Sequence, residues 1–170
     1  SAASDVYKRQ PYVICNGYMY DVLQGISDHA KLQIVLNAVE KGSNPWGCTD
    51  YLNQKKKILE TGADVYELMN DYPVHTKAVL INDRLSVVGS YNLDMRSTYL
   101  DTELMLVIDS EKLSQQIHET ESDYMEKSKE VLANGQETEG AKYQGKVLNR
   151  KKKLYYGVLR IIIRPLRQLL

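Results

Sequence analysis

The chain has 170 residues, of which 43% are apolar and 26% are charged, a composition typical of one globular domain of ordinary size. This mixture excludes a chain that is disordered throughout, a collagen and a polytopic membrane protein. The formal net charge is zero, but residues 1–149 carry 15 basic and 22 acidic side chains, whereas residues 150–170 carry seven basic and no acidic ones. The acidic body argues against nucleic acid as a partner, and the basic tail favours an anionic surface.

The first ten residues have no signal-peptide pattern, because no apolar stretch follows a basic start. This decapeptide resembles a translated sequencing-adapter read-through. We therefore expect residues 1–10 to be a non-native leader outside the fold, with the native polypeptide extending upstream; a disordered natural terminus is the alternative. Cys15 and Cys48 are too few for a disulfide framework, which favours buried, reduced thiols in a cytosolic setting.

Short apolar runs alternate with helical patterns over residues 11–133. In chain order, the sequence first predicts a strand at 12–15, a helix at 18–29, a strand at 32–36 and a loop at 42–45. A helix with Thr49 as its N-cap then ends at Gly62 and is followed by a strand at 64–68. Three further strands are predicted near 75–81, 85–90 and 103–108, and a long helix follows Asp109. Residues 134–149 are predicted to be a linker. The β-α-β-α-β start and the meander after it predict an α/β fold with a mixed β-sheet flanked by helices.

Residues 150–170 have the pattern of an amphipathic helix. The basic residues are Lys151, Lys152 and Lys153, followed by Arg160, Arg164 and Arg167 on one helical stripe, while Leu159, Ile162, Ile163 and Leu166 lie largely on the other side. Each central Arg costs roughly 2.5–3.5 kcal/mol in a membrane span, so the pattern favours a helix lying on an anionic membrane surface. The alternative is a terminal helix docked on the body with its arginines in solvent.

Two short segments carry candidate chemistry. His75 and Lys77 are two residues apart, so on a strand they point to the same side, and Ser90 and Asn92 form a second such pair at the end of the next strand. Pairing these strands gathers an imidazole, an ammonium, a hydroxyl and an amide. Lysine and asparagine can bind the non-bridging oxygens of a phosphodiester, and the imidazole can act as nucleophile or as acid and base. No cluster has the spacing of metal ligands, so we predict no metal and no cofactor.

These residues resemble the signature of the phospholipase D superfamily, H-x-K-x4-D-x6-G-S-x-N, in register throughout. The Asp position is the one departure: Asn82 occupies it and Asp83 follows. Residues 92–97 and 60–67 are also similar to segments that flank this signature in bacterial cardiolipin synthases. The resemblance therefore covers about residues 11–133, as a phospholipase D-like half-domain.

The resemblance implies a mechanism without a metal. One motif histidine attacks phosphorus to form a phosphohistidine, and a histidine from a second motif copy protonates the leaving alcohol. In cardiolipin synthases the headgroup of a second phosphatidylglycerol then resolves the intermediate. An acid on the strand after the signature orients the histidine, and Glu103 matches that place. The implied location is the cytoplasmic face of the bacterial cytoplasmic membrane, and the implied partners are phosphatidylglycerol and the membrane surface.

Only one copy of the motif is present, so the chain resembles the C-terminal catalytic half of a phosphatidyltransferase. Its further partner is then a missing N-terminal half of the same polypeptide, or a second chain in a single-motif relative. Two alternatives stay open: a family phosphodiesterase or nuclease, and a degenerate membrane-binding module. We expect the isolated fragment to be inactive as a monomer. Either Asp83 replaces Asn82 after a small shift or the Asp is dispensable, since a one-residue offset on a strand reverses the side chain.

Overall fold

A computed structural model describes residues 5–170. The strands are β1 (Asp5–Arg9), β2 (Lys31–Asn37), β3 (Asp64–Leu68), β4 (Lys77–Ile81), β5 (Leu85–Gly89), β6 (Met105–Asp109), β7 (Ser128–Val131) and β8 (Glu137–Glu139). The helices are α1 (Gly17–Ser27), α2 (Pro45–Glu60), α3 (Met95–Tyr99), α4 (Glu111–Glu126) and α5 (Arg150–Ile162), followed by a 3₁₀ helix, Arg164–Leu169.

The described strands form one sheet in the order β6-β5-β4-β1-β2-β3-β7-β8. Strands β1, β2 and β3 are parallel, and every other neighbouring pair is antiparallel. The predicted mixed α/β sheet is confirmed, because the β-α-β-α-β unit supplies the parallel strands and the later hairpins extend both edges.

Alternation along β2 divides the core between the two faces of the sheet. Leu32, Ile34 and Leu36 lie in the large apolar cluster that α1 and α2 cover, whereas Val35 belongs to a smaller cluster beside Tyr124 of α4. Successive side chains of a strand point to opposite faces, so helices are needed on both. The predicted strand at 32–36 and the predicted helices around it are confirmed.

The beginning of the sheet differs from the prediction. Residues 5–9 form β1, hydrogen-bonded between β2 and β4, so the expectation that residues 1–10 lie outside the fold is wrong for them. Residues 1–4 lie outside the described part, and the non-native origin of the decapeptide stays a prediction. The predicted strand at 12–15 is instead a buried extended segment, whose Ile14 and Cys15 N–H groups donate to the Leu93 carbonyl and the Gln54 side chain.

Two further boundaries are corrected. Helix α2 begins earlier than predicted, because Asn44 rather than Thr49 is its N-cap and Pro45 occupies the first turn. The predicted linker at 134–149 contains β8, which pairs with β7. The polar sequence of β7, Ser-Lys-Glu-Val, gives no apolar alternation, and so the sequence does not predict this edge.

The tail is docked on the body. Tyr156, Leu159 and Ile163 are buried, and α5 packs on α2. Arg167 makes two hydrogen bonds to the carboxylate of Asp50, and Arg160 donates to the side chain of Asn53. These two arginines therefore bind the protein, which corrects their predicted role as lipid contacts.

Candidate active site

The signature residues meet at one end of the β4–β5 hairpin. His75 lies in the loop before β4, two residues ahead of Lys77, the first residue of that strand. Lys77 stands opposite Gly89 in the ladder, and Gly89 stands opposite Met105 of β6. The register therefore brings the two halves of the signature to the same sheet edge, although His75 itself is not part of the strand.

Lys77 holds His75 by direct hydrogen bonds. The Lys77 Nζ atom lies 2.8 Å from His75 Nδ1 and 2.9 Å from the His75 carbonyl oxygen. Desolvation, and then the positive charge of Lys77, lower the pKa of His75 below its ordinary value of 6.5. The neutral imidazole that a nucleophile or a general base requires is therefore favoured at neutral pH.

Lys77 is a buried cation beside two carboxylates. Its residue is 7% exposed. Burial lowers the pKa of Lys77, while the negative charges of Glu103 and Asp94 oppose that shift. A buried ammonium can stabilise a phosphoryl oxygen more strongly than an exposed one, since water screens it less.

Gly89 is required by the close approach of β6. A Cβ atom at this position would lie 2.0 Å from the Leu104 carbonyl oxygen and 2.9 Å from Met105 Cα, so any side chain would separate the two strands. The contact lets Ser90 pair on both sides with Leu104: its N–H donates to the Leu104 carbonyl, and its hydroxyl accepts from the Leu104 N–H. The glycine thus fixes the position of the signature serine.

Glu103 binds serines rather than the histidine. Its carboxylate accepts from the Ser90 hydroxyl, and hydrogen bonds from Ser90 and then Ser97 lower its pKa. No hydrogen bond joins Glu103 to His75 within residues 5–170. The structure thus places Glu103 in the site, but its carboxylate contacts the Ser90 hydroxyl and not His75, which it was expected to orient.

Asn92 presents a side-chain amide with unused hydrogen-bonding capacity. Its backbone N–H donates to Ser97 Oγ, whereas its side-chain oxygen is buried and lacks a hydrogen-bond partner in the described part of the chain. This oxygen can only accept a hydrogen bond, so binding of a phosphate oxygen by Asn92 requires its Nδ2 group as the donor.

Sequence reasoning missed Asp94 and Ser97. Asp94, 2% exposed, is the N-cap of α3 and accepts from the Ser97 N–H at 2.7 Å. Ser97 in turn supports Asn92 and Glu103, so this short helix supports one side of the site. The available signal was Asp94 itself, a residue type preferred at helix N-caps.

The Asp position of the signature lies outside this site. Asn82 is in the turn between β4 and β5, with a φ of 51°, a left-handed conformation that asparagine tolerates. It is roughly 16 Å along the strand from Lys77, five residues at about 3.3 Å each. Asn82 and Asp5 exchange hydrogen bonds, N–H to carbonyl and N–H to Oδ1. Asp83 is exposed in the same turn and does not join the site either.

The tail cations divide into two sets. Arg160 and Arg167 contact the body, whereas Lys151, Lys152, Lys153 and Arg164 are exposed. No helix within residues 5–170 is both long and apolar enough to cross a bilayer. No group of three His, Cys, Asp or Glu side chains in this same part lies suitably for a metal ion.

The arrangement combines a neutral imidazole, a buried ammonium, a hydroxyl–carboxylate pair and a free amide at one sheet edge. Together they suit a tetrahedral, anionic phosphoryl group, and the fold that carries them is the α/β fold of the phospholipase D family. The phospholipase D family member Nuc from Salmonella typhimurium superposes with a TM-score of 0.63 over 76% of this chain and 83% of its own, at 17% identity. Phosphatidylserine synthase from Haemophilus influenzae Rd KW20 superposes with a TM-score of 0.66 over 99% of this chain and 42% of its own, at 15% identity.

Residues 1–123 match the family described as "Cardiolipin synthase, PLD-like domain", and the chain belongs to this family. Cardiolipin synthase A of Proteus mirabilis (strain HI4320) is 30% identical over 155 residues, which are 88% of this chain and 30% of that protein. Cardiolipin synthase A of Serratia proteamaculans (strain 568) is 28% identical over 155 residues, which are again 88% of this chain and 30% of that protein. The chain thus spans about 30% of the length of these relatives.

Proposed function

We propose that this chain is the C-terminal catalytic half of a phosphatidyltransferase that makes cardiolipin from two molecules of phosphatidylglycerol. The observation that carries the proposal is the contact of Lys77 Nζ with His75 Nδ1, beside Ser90 and Asn92, in a chain of the cardiolipin synthase family. No metal takes part in the proposed chemistry. The proposed site of action is the cytoplasmic face of the bacterial cytoplasmic membrane.

The proposed reaction has two displacements at phosphorus. A ring nitrogen of one motif histidine attacks the phosphorus of phosphatidylglycerol, and the bond from phosphorus to the glycerol headgroup breaks. The histidine of the other motif protonates the departing glycerol. A headgroup hydroxyl of a second phosphatidylglycerol then gives its proton to that base and attacks phosphorus, releasing the histidine and forming cardiolipin.

The residues of this chain have distinct parts in that reaction. His75 supplies one of the two histidines, and Lys77 and Asn92 bind the non-bridging oxygens of the phosphate. Ser90 and Glu103 hold the hairpin edge on which these groups sit. We propose Glu103 as a positioning residue, supported by its hydrogen bonds to Ser90 and Ser97.

A second motif must come from outside residues 1–170. Edge strand β6 and Leu104, the residue before it, offer a surface for it, because Leu104, Leu106 and Val107 are between 56% and 71% exposed. Exposed apolar side chains on an edge strand favour burial against another unit. We propose that the N-terminal half of the same polypeptide covers this edge; a second copy of the chain is the alternative.

The test is a transfer assay with the complete polypeptide, recovered by extending the reading frame upstream. Vesicles of phosphatidylglycerol should yield cardiolipin and glycerol in equal amounts, while a purified monomer of residues 1–170 should yield neither. Turnover by that monomer would contradict the half-site proposal, and turnover by a dimer would support the single-motif alternative. Release of phosphatidic acid without cardiolipin would identify a phosphodiesterase, and no product from the complete protein would favour a degenerate module.

A further inference from the structure

Helix α5 has apolar side chains on two opposite sides. One set faces the body and is buried: Tyr156, Leu159 and the C-cap residue Ile163. The other set, which we call the outer face, consists of Leu154, Val158, Ile161 and Ile162, with exposed fractions of 71%, 50%, 71% and 48%. At 100° per residue the two sets lie about half a turn apart. A helix that is apolar on both sides normally has a partner on both.

The contacts of two arginines fix which side is outward. Arg160 Nε donates to Asn53 Oδ1 at 2.9 Å, and the Arg160 carbonyl accepts from Asn53 Nδ2 at 3.0 Å. Arg167 makes a bidentate hydrogen-bonded ion pair with the buried carboxylate of Asp50. Both arginines project toward α2, so the outer face cannot turn inward without breaking these bonds.

The charges beside the outer face are all positive. Residues 150–153 are Arg-Lys-Lys-Lys, they form the first turn of α5, and they are exposed. The N-terminus of a helix is the positive end of its dipole, which disfavours cations. None of the four makes an ion pair within residues 5–170. Four cations in an unfavourable place, without internal partners, indicate an anionic partner outside the chain.

We propose that the outer face of α5 docks on an anionic bilayer, with the lysines of its first turn on lipid phosphates and the apolar side chains at the acyl boundary. This surface differs from the one the sequence predicts, because Leu159, Ile163, Arg160 and Arg167 are used to attach the helix to the body. The proposal concerns binding alone and requires no turnover at His75.

The tail is also connected to the active site through α3. The 3₁₀ helix that continues α5 packs on α3, and the Leu170 carbonyl accepts from the Arg96 N–H at 2.8 Å. Helix α3 carries Ser97, which is bonded to Asn92. The membrane-facing segment is thus connected through one short helix to the residues that bind phosphate in the proposed reaction.

The test is co-sedimentation of the chain with vesicles, comparing Ile161→Asp with Leu104→Asp. The two residues are equally exposed, at 71%, but Leu104 lies just before β6 and is not part of the tail. Binding to vesicles of equal parts phosphatidylglycerol and phosphatidylcholine should weaken at least tenfold in Ile161→Asp and stay within about twofold in Leu104→Asp. Replacing Lys151, Lys152 and Lys153 by Gln should weaken it roughly 100-fold at low salt. Circular dichroism checks that each variant is folded.

Three outcomes would overturn the proposal. The first is equal loss of binding in Ile161→Asp and Leu104→Asp. The second is equal binding to phosphatidylglycerol and to pure phosphatidylcholine vesicles, without the salt dependence that ionic contacts require. The third is a dimer that Ile161→Asp converts to a monomer while vesicle binding is unchanged, which would assign the outer face to a second copy. A His75→Ala variant should bind vesicles normally, so this test and the activity test can fail independently.

Discussion

Replacing Arg167 by Met should destabilise the protein strongly, since it leaves the carboxylate of Asp50 buried without its cation. Arg167 Nε and Nη2 lie 2.8 and 2.9 Å from the two oxygens of Asp50, which is 0% exposed. Methionine preserves much of the aliphatic stem, so the change isolates the charge and its two hydrogen bonds. Gln54 would remain as a donor to the carboxylate.

The magnitude follows from the burial of the two partners. Removing one member of a buried ion pair costs roughly 3–5 kcal/mol. The Arg167 side chain is 32% exposed, so water already screens part of the interaction, and Gln54 retains one hydrogen bond. We therefore expect a loss at the lower end, about 3 kcal/mol, which for a chain of this length lowers Tm by roughly 6–12 °C.

The assay is urea and thermal unfolding followed by circular dichroism, with Arg164→Met as the matched control. Arg164 lies on the same 3₁₀ helix, is exposed and makes no hydrogen bond or ion pair among residues 5–170. Its replacement should change stability by less than about 0.5 kcal/mol. Equal unfolding curves for Arg167→Met and Arg164→Met would refute the docked tail.

Three other predictions concern titration and packing. Burial raises the pKa of Glu121 from 4.5 to about 6. The folded state therefore gains stability from protonated Glu121 below pH 4.5 and loses that gain as the pH rises through 6. In urea unfolding, Glu121→Gln should reduce the change in unfolding free energy across this pH range by about 2 kcal/mol. Lys77→Met should raise the pKa of His75, measured by NMR titration, because it removes one of the two causes that lower it. Gly89→Ala should destabilise the protein by about 1–3 kcal/mol, since its Cβ meets the Leu104 carbonyl.

Each of these predictions has a control in the same chain. The effect of Glu121 is the difference in unfolding free energy between wild type and Glu121→Gln at each pH, so the contributions of the other carboxylates cancel. Lys31→Met, a change at an exposed position at the far end of β2, should leave the pKa of His75 unchanged. Gly25→Ala, where a Cβ meets nothing within 4 Å, should stabilise α1 by about 0.5–1 kcal/mol. An unmoved His75 pKa in Lys77→Met, or equal stability of the two glycine variants, would contradict the described site.

Local signals predicted the elements whose side chains alternate or repeat regularly. The apolar strand at 32–36 and the strand at 64–68 are confirmed by β2 and β3, and the signature spacing correctly placed Lys77 opposite the Gly-Ser segment. Strand β1 was missed because residues 1–10 were excluded as a non-native leader, and because its sequence, Asp-Val-Tyr-Lys-Arg, has polar side chains that are buried only through distant partners. Arg9, for example, pairs with Glu121, and Lys8 lies over the Tyr91 ring.

Periodicity alone could not assign the two sides of the tail. The apolar residues of α5 occupy more than one side, and the choice of the docked side depends on Asp50 and Asn53, more than 100 residues earlier in the chain. The sequence also could not identify the partner of Glu103, because the Ser90 hydroxyl that bonds its carboxylate lies 13 residues earlier in the chain. Contacts between residues distant in sequence decide both cases.

The most direct test of the central claim is the rate of cardiolipin formation by the complete polypeptide carrying His75→Ala, compared with His29→Ala. His29 is exposed, and its ring bonds the Gly25 carbonyl at the end of α1. The account predicts that His75→Ala lowers the rate by at least about 10²–10⁴-fold, the range for losing an acid–base group, with unchanged unfolding, while His29→Ala retains the wild-type rate. A wild-type rate in His75→Ala would contradict the assignment of this site.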